Sequence, residues 1–134
     1  MAANEILARV DGPIVIIGFG SIGRGILPLI ERHIAHETSR MVVIDPSDKD
    51  RHLLDERGIR FIHQSVTREN YREELGPRLA RGDFLVNCSN DVATVALIEL
   101  CQEKGAMYID TCIEPWAGGY IDSSISPNRR SNYA

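Results

Sequence analysis

The sequence predicts an α/β protein, a doubly wound parallel sheet with helices on both faces, and three observations predict it. Short apolar, largely β-branched runs recur at 14–17, 41–44, 59–62, 84–86 and 107–109, as expected of parallel strands buried on both faces. Helical apolar spacing fills most of the intervals between them, so strand and helix alternate. The first junction is Gly18-Phe19-Gly20-Ser21-Ile22-Gly23, a glycine-rich turn set between a strand and a helix.

The elements follow in order. Residues 1–13 read as a lead-in closed by an Asp11-Gly12-Pro13 turn. After the glycine turn, Ile22, Ile26, Leu29, Ile30 and Ile34 predict a helix over 21–36 with Pro28 inside it. The run 41–44 ends in Asp45. Ser47 is then expected to cap a short helix carrying Leu53 and Leu54, with Gly58 as its stop. Strand 59–62 leads into the polar turn 64–67. There Thr67 is expected to cap a helix marked by Tyr71, Leu75 and Leu79 and bent at Gly76-Pro77. Strand 84–86 ends in Asn87-Cys88-Ser89-Asn90-Asp91, where Asn90 or Asp91 is expected to cap a helix that stops at Gly105. Strand 107–109 closes the pattern, which fades from Gly118 onward. Right-handed crossovers then give the strand order 3-2-1-4-5, and the loops after strands 1, 4 and 5 share one crevice.

Composition narrows the partners. With 134 residues the chain makes one domain with a real core. A net charge of −4 argues against nucleic acid as the main partner. No apolar run approaches the roughly 20 residues that span a bilayer, no leader pattern opens the chain, and a cytoplasmic protein is expected. Cys88, Cys101 and Cys112 are odd in number and lack C-x-x-C spacing, and the histidines are scattered. Neither a disulfide framework nor a metal site is expected.

The glycine turn suits a dinucleotide phosphate. Gly18 allows the tight turn, Gly20 lets main chain approach a pyrophosphate with no Cβ in the way, and Gly23 lets the helix pack closely on its strand. The free N–H groups at the start of the helix, at Ser21, Ile22 and Gly23, present the positive end of the dipole to an anion. Asp45 lies roughly 20 residues further on, at the end of the second strand, where a carboxylate accepts ribose hydroxyls and repels a 2′-phosphate. NAD is therefore expected over NADP, although Lys49 and Arg51 stand nearby. Ser65 and Thr67, in the third strand's turn, are expected to border the adenine. Asn87, Cys88 and Ser89 after the fourth strand, and Asp110 and Thr111 after the fifth, are expected along the same crevice. Cys88 as a nucleophile is disfavoured, since no histidine is placed beside it.

Residues 14–23, Val42-Val43-Ile44-Asp45-Pro46-Ser47, Tyr108-Ile109-Asp110-Thr111, Glu114-Pro115-Trp116 and Arg130-Ser131-Asn132-Tyr133-Ala134 together resemble the amino-terminal domain of bacterial homospermidine synthases, relatives of the saccharopine dehydrogenases. The resemblance implies a Rossmann domain over 1–117 and, over 118–134, the start of a linker to a catalytic domain. It implies an NAD-dependent transferase that oxidises putrescine or a similar diamine, exchanges the imine with loss of ammonia, and reduces it again. Glu114 then matches an active-site acid and Trp116 a neighbour lining that site. It further implies that this stretch alone binds NAD with little or no turnover, and that it self-associates as a homo-oligomer. Two other readings share the cofactor half: another saccharopine dehydrogenase-like oxidoreductase, and a non-catalytic NAD-sensing module.

Overall fold

A computed structural model of the chain describes residues 5–130. Its centre is β2 (Ile14–Ile17), whose four residues are all buried. On one side β2 pairs in parallel with β4 (Val42–Asp45), which pairs with β5 (Arg60–His63). On the other it pairs with β6 (Phe84–Asn87), which pairs with β7 (Met107–Asp110). The five-stranded sheet thus runs β5-β4-β2-β6-β7, parallel throughout.

The pleat divides the apolar residues of the central strands between two faces. Val15, Ile17, Ile44 and Leu85 pack with Leu75 of α3 (Tyr71–Leu75) and with Leu97, Leu100 and Cys101 of α4 (Thr94–Lys104). Ile14, Ile16, Val43 and Val86 pack with Leu27 of α1 (Ser21–His33) and Leu54 of α2 (Arg51–Asp55). Each layer is a core in its own right, which is why β2 and residues 42–44 of β4 read as unbroken apolar runs rather than as alternating ones.

The helix expected over 21–36 is shorter. It ends at His33, and β3 (Ile34–Ala35) pairs in parallel with β1 (Ala8–Arg9). The cause is visible in the bonds that extend this ladder: the Leu7 and Val10 amides donate to the His33 and Ala35 carbonyls at 2.8 Å each. The lead-in is therefore part of the fold. Strand 59–62 is displaced by one residue, because the Ile59 amide closes α2 by donating to Leu54 at 3.0 Å.

The expected caps are also different. Ser47 lies in a turn before α2, where its hydroxyl accepts from the Lys49 amide at 3.4 Å, and no side chain caps α2. Thr67 begins a turn rather than a helix: its amide donates to Asn70 Oδ1 at 2.7 Å, and its hydroxyl accepts from the Asn70 amide at 3.3 Å. Neither Asn90 nor Asp91 caps α4, whose first flanking residue is Ala93. Asp91 instead takes the left-handed conformation, φ 63°. Beyond β7 the chain makes short turns at Gly119–Ile121 and Pro127–Arg129. The sequence signature at Ser131, Asn132, Tyr133 and Ala134 lies outside the described residues.

Leu97 is fully buried whereas Val95, on the same helix, is 64% exposed. Leu97→Ala is expected to cost about 2–5 kcal/mol in denaturant unfolding, and Val95→Ala less than about 0.5 kcal/mol.

Candidate functional site

The carboxyl ends of β2, β4, β5 and β6 are stitched together just beyond the sheet. The Gly18 amide donates to Ile44 at 2.9 Å, Cys88 to Ile17 at 2.7 Å, and Gln64 to Asp45 at 3.1 Å. Above these bonds opens a cleft of about 740 Å³, within the range of small-molecule and cofactor sites. Its walls bring together Gly18, Gly20, Asp45, Ser65, Thr67, Cys88, Ser89 and Trp116.

The three glycines of the turn have different causes. Gly18 has φ +91°, and a Cβ there would stand 2.8 Å from the Cys88 carbonyl carbon and the Ser89 nitrogen. A Cβ on Gly23 would collide with the Gly18 carbonyl oxygen. Both positions are dictated by main chain packed on main chain. Gly20 is not: its φ is −82° and ψ −154°, which any residue adopts, and a Cβ there would meet nothing within 4 Å. Within this chain no packing or torsion requires a glycine at Gly20. It stands at the mouth of the cleft, just before α1, whose first turn no side chain caps. The N–H groups of Ser21, Ile22 and Gly23 therefore leave the helix end unmatched by helical carbonyls.

Asp45 ties this turn to the next strand. Its Oδ2 accepts the Phe19 amide at 2.6 Å and its Oδ1 the Ser47 amide at 2.7 Å. Each oxygen keeps further acceptor capacity, and Asp45 lines the cleft. Of the two nearby cations, Arg51 is engaged elsewhere: it pairs with Asp55 at 3.5 Å and lies 5.6 Å from the centre of the Phe61 ring.

Residues 14–134 match the family model described as the saccharopine dehydrogenase NADP-binding domain. The chain belongs to this family. Among curated relatives of this saccharopine dehydrogenase-type domain, a homospermidine synthase from Blastochloris viridis is 59% identical over 94% of the chain and 27% of its own length. One from Mesorhizobium japonicum is 51% identical over 98% of the chain and 28% of its own length. The chain thus spans about a quarter of the length of these relatives. The crystal structure of the homospermidine synthase from Legionella pneumophila in complex with NAD matches with a TM-score of 0.75 at 35% identity, over 79% of this chain and 23% of that one. The relatives are of the kind that the sequence signature resembles.

Several residues expected in the crevice of this domain lie elsewhere. Asn87 is buried beneath the cleft, where its Oδ1 accepts from the Ser89 amide at 3.1 Å and the Ser89 hydroxyl at 2.5 Å. Asp110 and Thr111 border an apolar groove beside α1 rather than the cleft. The Asp110 Oδ2 accepts from the Thr94 hydroxyl at 2.7 Å and the Tyr108 hydroxyl at 2.9 Å. Burial pushes the Tyr108 phenol well above its usual range, so it stays a donor. Thr94 in turn holds the Glu114 segment: its hydroxyl accepts the Glu114 amide at 3.0 Å and its amide donates to the Glu114 carbonyl at 2.9 Å.

Glu114 itself lines a neighbouring pocket, with Glu99 and Asp122, that adjoins the cleft at Trp116 and Arg68. Its carboxylate acts on its neighbours' acidity. Its proximity raises the pKa of the Cys112 thiol; at Tyr120, whose pKa rises first through burial, its charge adds to the rise. Trp116 packs against Tyr71, ring centres 5.2 Å apart. Burial pushes the Cys88 thiol up, the opposite of what a thiolate nucleophile needs. Arg68 and Glu69, which line the cleft, were not singled out by sequence; they carry no periodic or motif signal. Among the described residues there is no group of three or more metal-ligating side chains, and no helix is long and apolar enough to cross a membrane.

Two substitutions separate packing from ligand space. Gly18→Ala is expected to lower unfolding stability by more than ~2 kcal/mol, through torsion and collision together. Gly20→Ala should leave it within about 0.5 kcal/mol; thermal melts of both variants check the contrast.

Proposed function

We propose that this chain is the NAD-binding domain of a homospermidine synthase, with the dinucleotide lying in the cleft above β2, β4 and β6. The observation that carries this reading is Gly20: open space where a side chain would fit, beside uncapped amides at the start of a thirteen-residue helix. A pyrophosphate takes that space and those donors together. Residues 1–117 would form the cofactor domain, and 118–134 the start of the connection to a catalytic region in the remaining length of the longer relatives.

Asp45 supports NAD over NADP, despite the family's NADP-binding description. A carboxylate already holding two amides favours further donors, which ribose hydroxyls supply and a 2′-phosphate does not. Arg51, which would otherwise offset this charge, is turned to Asp55 and Phe61. Ser65 and Thr67 would flank the adenine half, and Cys88 and Ser89 the nicotinamide half.

Bound NAD supplies the hydride acceptor for oxidising a diamine such as putrescine and the donor for reducing the exchanged imine, with ammonia lost between. The residues of this chain bind and orient. The Glu114 carboxylate would attract an ammonium group, and the indole face of Trp116 would add about 0.5–2 kcal/mol of cation–π attraction. The bonds from Thr94 to the main chain of Glu114, with Asp110 behind Thr94, fix where that carboxylate stands. Closure by a second domain is needed to exclude water from such a site.

Calorimetric titration tests the cofactor. NAD is expected to bind more tightly than NADP, Asp45→Asn to narrow the gap, and Gly20→Ala to weaken NAD at least tenfold while the protein stays folded. Equal affinities in the unmodified domain would remove the role given to Asp45. A chromatographic assay of this chain with putrescine and NAD is expected to yield little or no homospermidine; substantial turnover would show that the remaining polypeptide is dispensable.

A further inference from the structure

The side of the sheet that carries α1 is only half covered. On that side α1 and α2 pack over β2, β4 and β5, with Ile16, Val43 and Leu54 at the centre. There α1 reaches β6 at Val86, which packs with Leu27. Over β7, among the described residues, no helix lies, and a groove of about 310 Å³ is left between α1 and β7. Ala8, Arg9 and Val10 of the lead-in also line this groove, and its surface is almost wholly apolar. Val86 lies at its floor, Ile26 and Ile30 form one wall, and Met107 and Ile109, 43% and 53% exposed, form the other.

The outer face of α1 continues this surface. Ile22 and Leu29 are 53% and 54% exposed, and with Gly25 and Ile26 they fall on one stripe at helical spacing. Gly25 is an exposed glycine inside a helix, where glycine is the poorest choice short of proline. No turn torsion accounts for it, and a Cβ there would meet nothing within 4 Å. A glycine amid exposed isoleucine and leucine is what close approach by another element requires.

The domain's own winding cannot supply that element. The crossover from β6 to β7 sends α4 over the opposite face, against Leu85 and Tyr108. A further right-handed crossover in the same direction would lay its helix on that opposite face again. The chain after β7 does turn that way, since the Glu114 main chain is bonded to Thr94 at the start of α4. Whatever covers the α1 side must come from outside the alternating strand-helix pattern. The relatives carry such material: this chain spans only 27–28% of their length.

We propose that the groove between α1 and β7 is the seat of an apolar helix from the polypeptide that follows this domain in the longer relatives, with Gly25 as its point of closest approach. The cofactor cleft opens at the carboxyl ends of the strands, whereas this groove lies along their side. An interdomain contact there braces the domain without closing the cleft. The inference does not depend on which nucleotide is bound.

Hydrogen exchange read by mass spectrometry tests it on two proteins: this chain, and this chain extended past Ala134 by the sequence that follows the matched region in the Blastochloris viridis relative. Amides of residues 22–30 and 107–110 are expected to exchange at least tenfold more slowly in the extended protein. Ile109→Asp should abolish that protection there while leaving the melting temperature of the short chain unchanged. Should the extended protein not fold, the intact relative and its own matched region are compared over the aligned peptides. Equal exchange with and without the extension would overturn the proposal. So would protection that survives Ile109→Asp, or protection in the short chain that rises with its concentration, which would assign the groove to a second copy.

Discussion

Everything at the cleft depends on bare main chain meeting main chain. The turn after β2 lies so close to the strand end of β6 that Gly18 has no room for a side chain, and the first turn of α1 presses Gly23 onto the Gly18 carbonyl. These contacts fix α1 at one height above the sheet and aim its open end across the strand tips. The carboxylate of Asp45 then holds the turn from the side through the Phe19 amide. A charged acceptor on a main-chain donor is among the stronger hydrogen bonds available, and it links the glycine turn to the strand that presents the acid.

A second chain of bonds runs from the cleft toward the Glu114 loop. Ser89 bonds Asn87, Asn87 bonds Tyr108 at 3.4 Å, Tyr108 bonds Asp110, and Asp110 is joined through Thr94 to the main chain of Glu114. The weakest link is Asn87 to Tyr108. Polar groups buried in this way must be satisfied, and here each is satisfied by its neighbour in the series. The loop beside the cofactor cleft and the loop bearing the acid are thereby held to the same two strands, β6 and β7.

Most of the sheet was legible in the sequence because it rests on burial. Residues 14–17 and 42–44 lie under helices on both sides and so read as plain apolar runs, and Gly18 and Gly23 stand where main chain packs on main chain. The parts that were not legible are those in which a polar side chain could serve two purposes. Ser47, Thr67 and Asn90 each precede a helical pattern, yet Ser47 and Thr67 make local turns and none of the three caps a helix. Asn87 and Asp110 look like loop residues facing a ligand, but their side chains turn inward to bond Ser89, Tyr108 and Thr94. The pairing of β1 with β3 involves two residues on each strand, too few for any period to register. Arg68 belongs to a polar turn with no pattern, so its place at the junction of cleft and pocket follows from folding alone.

Trp116 lies on the wall common to the cleft and the pocket that holds Glu114, and it is the single tryptophan of the chain. One indole therefore senses two compartments. Its ultraviolet emission is a built-in optical gauge, quenched or shifted by whatever enters from either side, with Tyr71 at van der Waals range as an energy donor. The molecule needs no attached dye for its occupancy to be read in solution.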